Sequence, residues 1–129
     1  MSRKPSLSVV AATAPTALET SPVLAALVKS WMRSLRSENV SPRTEQTYSQ
    51  SLDRFTVYLK AQRLPQVPSQ IERQHVEAFI SDQLAHWKPA TASVRYRSLQ
   101  QFFKWLLAEH EIEANPMAGM RPPKLPEAP

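Results

Sequence analysis

Arg97, Gln101 and Lys104 follow one another at i, i+4 and i+7, the spacing that gathers side chains on one stripe of a helix. Ser93 and Gln100 flank them, and Thr91 falls in the first turn of the same segment. Arginine pairs bidentately with guanine O6 and N7, glutamine with adenine N6 and N7, and lysine and threonine mostly hold phosphates. A second set, Arg43, Gln46 and Gln50 with Thr47 beside them, shares the outer face of an earlier segment. A helix beginning there would add free amides and partial positive charge for a phosphate. Arg95 is less committed, because it projects near the core edge and could equally cap a carboxylate such as Glu45. The chemistry within reach is contact with a polyanion by two helical faces; the competing reading is the ordinary polar side of any surface helix.

Groups for covalent chemistry are missing from this pattern. The single glycine, Gly119, excludes a glycine-rich phosphate loop. No His-x-x-Arg occurs, and His75, His86 and His110 share no ligand spacing. His75 stands three residues after Glu72, but a lone pair is poor grounds for a metal, and all three histidines are expected at the surface. Tyr48 and Tyr96 fall on apolar faces, where a phenol is usually a hydrogen-bonded packing group. A nucleophilic tyrosine would need cations converging beside it. No catalytic residue, cofactor or metal is expected.

Four helices can position the two faces. Ser21-Pro22 and Ser41-Pro42 each place a capping serine before a proline, a helix-start signal. Behind the first, Val23, Leu24, Leu27, Val28, Trp31, Met32 and Leu35 recur at helical spacing, and this helix should end near Ser37. The second runs from Pro42 to about Gln62 and buries Tyr48, Leu52, Phe55 and Leu59. The prolines of Leu64–Pro68 enforce a loop. A third helix spans roughly Glu72 to His86 and buries Val76, Phe79, Ile80 and Leu84. Lys88-Pro89 breaks it, and a fourth runs from about Ala90 to Glu109 with Tyr96, Leu99, Phe102, Phe103, Leu106 and Leu107 on one side. Trp31 should be buried, Trp105 should pack on the first helix or the tail, and Trp87 should cover the rim of the bundle.

The expected fold is all-α: a compact bundle of four main helices between a flexible leader, residues 1–21, and a Pro-rich tail. The folded part is placed at residues 22–111. Asn115-Pro116 should stop the structure, leaving 112–129 as an extended linker. With 129 residues the chain holds one domain, and one glycine with twelve prolines speaks against a hairpin-rich β protein. The absence of cysteine excludes disulfides. No apolar run approaches a membrane span, no convincing signal peptide is present, and the cytoplasm is the default location. Net charge is +5, and its placement is informative. From Lys88 to Leu107 four cations face no acid, whereas from Glu72 to Ala85 three acids face one arginine, so a polyanion would be drawn to the last helix.

Several of these residues together resemble a known pattern. Ser41-Pro42-x-Thr44-x-x-x-Tyr48-x-x-x-Leu52-x-x-Phe55 resembles the opening of the second helix in the N-terminal, SAM-like core-binding domain of tyrosine recombinases, the phage integrases and Xer-like enzymes. Thr91 to Leu106 resembles that domain's last helix, with its threonine, basic pair and Leu-x-x-x-Phe-x-x-Leu run. Asn115-Pro116 and Pro123-Lys124-Leu125-Pro126 resemble the run leading to the catalytic domain. The order of these motifs over about 85 residues is more specific than any one of them.

The resemblance implies half of a C-shaped clamp on double-stranded DNA, with the second and fourth helices against the major groove. It makes Arg43, Thr44, Gln46, Thr47, Thr91, Arg95, Arg97, Gln101 and Lys104 DNA-facing, Thr44 lying closer to the core edge. It also implies contact with other recombinase protomers through the first helix, and catalytic residues in a following domain with no counterpart here. A competing function is a helical protein–protein interaction module without DNA binding, which predicts an exposed apolar stripe on Val23–Leu35. A complete small enzyme is the third and weakest reading.

Overall fold

The computed structural model describes residues 23–126, and four α-helices and one short 3-10 turn make up their regular structure. We label the helices α1 (Leu24–Ser37), α2 (Pro42–Ala61), α3 (Arg73–His86) and α4 (Pro89–Ala108). No strand occurs among the described residues, so the all-α expectation holds. The leader expected at residues 1–21 and the start signal Ser21-Pro22 lie outside the described residues. The observed N-cap of α1 is Val23, which offers no side-chain cap.

The second start signal acts as its chemistry demands. Ser41 Oγ accepts the Thr44 amide at 3.1 Å, and Pro42 occupies the first helical position, where no donor is needed. At the start of α3 the Glu72 amide donates to His75 Nδ1 at 2.9 Å. The Glu72–His75 pair is thus a helix cap. Among the described residues no group of His, Cys, Asp or Glu could hold a metal ion.

Three helices end in the same way, without glycine. After α1, α2 and α4 the chain turns through left-handed backbone at Asn39 (φ 61), Arg63 (φ 55) and His110 (φ 60). In each case the following amide reaches back to the helix, Val40 to the Leu35 carbonyl, Leu64 to Leu59 and Glu111 to Leu106. Each is a Schellman closure, in which two amides satisfy carbonyls that the helix end would leave free.

α4 is the central element, packed against the other three helices and most extensively against α2. Trp31, Leu52, Phe55, Phe79, Tyr96, Leu99, Phe102, Phe103 and Leu106 form the sealed centre of the core. Aromatic rings dominate it: Phe55 meets Phe79 edge-on at 5.0 Å and Phe103 at 6.3 Å, arrangements favoured by ring quadrupoles. Trp31 is buried as expected, and half-buried Trp105 lies with Trp31 and Leu35, so it packs on α1. Of the α1 stripe, Leu24, Leu27, Trp31, Met32 and Leu35 are consumed by the core.

Three residues expected on apolar faces are exposed, Val23 at 51% together with Leu84 and Leu107, while Val28 and Tyr48 are half-buried. Leu84 is 41% and Leu107 39% exposed; each lies eight residues, or 80° around the helix, from a buried anchor, Val76 and Leu99. On α3 the stripe instead continues to Gln83, whose buried amide is satisfied by Arg95 and by Asp82 at 3.1 Å. The tail also departs from expectation. Ile112 and Met117 are buried, and Arg73 donates to the Ala118 and Gly119 carbonyls at 3.5 and 3.2 Å. The chain therefore folds back onto the bundle before the irregular stretch of residues 121–126. Tyr96 is buried, but its hydroxyl has no hydrogen-bond partner among the described residues, contrary to the usual bonded phenol.

Candidate nucleic-acid interface

Where α2 and α4 lie side by side, they leave a shallow groove of about 380 Å³. Arg43, Thr44, Thr47 and Tyr48 line it from α2; Val94, Arg97, Ser98, Gln100 and Gln101 line it from α4. No acidic residue is among them. The pairing follows from the packing: Leu52 and Phe55 turn inward from α2, and Leu99, Phe102 and Phe103 from α4. The residues flanking those stripes are then forced to share the seam. Arg97 is exposed and donates through Nη1 to Ser93 Oγ at 2.9 Å, which steadies its stem.

A second groove continues past Thr44, Tyr48 and Gln101 to Lys104, Trp105 and the α1–α2 turn at Glu38 and Val40. Lys104 therefore extends the first surface along α4 beside one acid, Glu38. Thr44 is half-buried, and its hydroxyl accepts a 2.9 Å hydrogen bond from Ser41 Oγ, so it serves the helix start as well as the seam.

Three expected residues stand apart from this seam. Gln46 is exposed on another flank of α2, in a recess with Met32, Arg36, Glu45 and Gln50. Thr91 is half-buried in the first turn of α4 and lines neither groove. Arg95 does not meet Glu45, whose carboxylate pairs with Arg36 at 2.8 Å. Arg95 instead donates to Gln83 and lies 4.6 Å from the centre of the Trp87 ring. Arg54 approaches the same ring at 5.0 Å. Burial first, and the neighbouring Arg54 charge second, hold the Arg95 guanidinium below its usual pKa.

Sequence reasoning passed over Arg54 and took Trp87 only as rim. The available signal was Arg54's place eleven residues after Arg43, three turns along the stripe that carries Thr47.

The family model for the phage integrase N-terminal SAM-like domain matches residues 27–113. Tyrosine recombinase XerC of Salmonella typhi is 31% identical over 88 residues, which are 67% of this chain and 29% of that protein. The chain thus spans under a third of that relative's length. Two crystal structures of a lambda integrase dimer bound to a COC' core site share the fold, each with a TM-score of 0.68. They are 20% and 21% identical and cover 82% and 83% of this chain, against 37% and 29% of theirs. The matched region is the N-terminal domain of such proteins. On the strength of the match from residue 27 to residue 113, the chain belongs to the phage integrase N-terminal SAM-like domain family, the core-binding domain of tyrosine recombinases.

Proposed function

We propose that this chain binds duplex DNA as the core-binding domain of a tyrosine recombinase, laying α2 and α4 against the major groove. The observation that supports this reading best is the acid-free seam in which Arg43, Thr47, Arg97 and Gln101 stand together. A major groove about 12 Å wide admits a helix. Arg97 and Gln101 then face base edges or phosphates from α4, while Arg43 and Thr47 hold backbone from α2. Lys104 adds a phosphate contact at one end. Gln46 and Thr91 belong to the outer margin of the footprint rather than to its centre.

On this reading the chain positions DNA and does not cut it. Strand cleavage falls to a catalytic part of the recombinase outside the matched region, and residues 121–126 form the extended run toward it. Other protomers are the second partner, through the outer side of α1, where Lys29, Arg33 and Arg36 border a recess with Val28, Met32 and Val57. The cytoplasm is the compartment that suits such a protein; among the described residues no helix is long and apolar enough to cross a membrane. A protein-interaction module built on the α1 stripe is disfavoured, because five of its seven residues, Leu24, Leu27, Trp31, Met32 and Leu35, are in the core.

Titration of a labelled mixed-sequence duplex at several salt concentrations tests the proposal. Binding that weakens linearly in log–log form as salt rises is expected. A duplex left unbound at low salt would end it.

A further inference from the structure

We infer that Arg54 and Arg95, held together on the Trp87 ring, form a clamp for a DNA backbone phosphate at the end of the α2–α4 face opposite Lys104. The inference rests on the DNA-binding reading proposed above and adds to it a site beyond the seam.

Two guanidiniums lie within 5.0 Å of one ring centre, although like charges repel. The indole face offsets part of that repulsion, and the Gln83 side-chain carbonyl accepts from Arg95. Among the described residues neither arginine has a carboxylate within salt-bridge distance. Asp82, the acid bonded to Gln83, is also engaged by His86. Positive charge is thus concentrated and left unbalanced, and most of the ten guanidinium N–H donors are free. A phosphodiester, with charge and several acceptor oxygens, fits that need, and arginine binds it in a fork.

Placement identifies the source of the phosphate. Arg54 continues the α2 stripe of Arg43 and Thr47, and eleven residues of helix separate Arg43 from Arg54 by about 16 Å. That exceeds the major groove's width of about 12 Å. When Thr47, Arg97 and Gln101 face the groove, the two ends of α2 reach the sugar–phosphate rails on either side. Trp87 is 43% exposed at the α3–α4 junction and acts as a positioning residue that aims both arginines.

The test compares salt dependence of binding to a mixed-sequence duplex for Arg54→Gln, Trp87→Leu and the charge-matched control Lys60→Gln, an exposed cation of α2 outside every groove described above. The log–log slope should become shallower by about 0.9, one phosphate contact, in Arg54→Gln. Trp87→Leu, which changes no charge, should also flatten it, and Lys60→Gln should not. Circular dichroism verifies folding, and Arg54, being exposed, carries little folding risk. If the wild type binds duplex but Arg54→Gln and Trp87→Leu both keep its slope, the clamp is refuted while the DNA reading stands. An equal change in Lys60→Gln would reduce the effect to net charge and likewise refute it. Failure of the wild type to bind duplex would remove the underlying reading instead.

Discussion

Replacing Arg97 and Lys104 together by alanine removes two exposed cations from α4 and leaves its core stripe intact. The proposed footprint contains four phosphate contacts: Arg43, Arg97, Lys104 and the Arg54–Arg95 pair. Each released counterion contributes about 0.9 to the log–log salt slope, so the wild-type domain should show about −3.6 and the double variant about −1.8. In affinity, raising salt from about 50 to about 200 mM should weaken the wild type about 150-fold and the variant about 12-fold. Fluorescence anisotropy on one duplex measures both. Thermal unfolding should barely change, because Arg97 donates only to Ser93 and Lys104 forms no side-chain hydrogen bond or ion pair among the described residues. An unchanged slope in a folded double variant would refute the assignment of this face. So would a larger loss when Arg33 and Arg36, which line a different recess, are replaced.

The remaining predictions concern the scaffold. Trp31→Ala, which empties a site stacked on Tyr48 and tilted against Phe102, should lower stability by about 3–5 kcal/mol in urea unfolding. Burial raises the pKa of Tyr96 and of Tyr58, the latter also facing Asp82. Their stabilisation is complete below the unfolded value of about 10 and lost as pH rises through the folded values. The urea midpoint should therefore fall above pH about 10, and less so in Tyr96→Phe. His110→Gly should raise stability by about 1 kcal/mol, since a non-glycine residue in left-handed backbone carries about that strain.

The helices were legible because their signals are local and repeated. Ser41-Pro42 marks the start of α2, and the stripes ending at Leu59 and Leu106 carry α2 and α4 to within a residue or two of their observed ends. The closures were not legible, since Asn39, Arg63 and His110 take the place where a glycine would have announced a stop. Ile112 and Met117 have no periodic company in the sequence, so their return to the core depends on a surface that only the folded bundle offers. The same limit applies to the candidate site. Helical phase brings Arg97 and Gln101 together on α4, but which residues of α2 face them depends on how the two helices cross. That crossing brings in Arg43 and Thr47, turns Gln46 to another flank, and leaves Arg95 on the Trp87 side. Arg54 and Trp87 come from different helix ends and meet only through tertiary packing.

Tyr48 stacks on Trp31 at 5.0 Å and 12° while also lining the seam and the Lys104 groove. The floor of the recognition surface is therefore the roof of the aromatic core, with no intervening layer. A change in ring size beneath it, at Trp31 or Phe102, would spread or pinch the two helices and so retune their reach along the double helix without altering any residue that touches it.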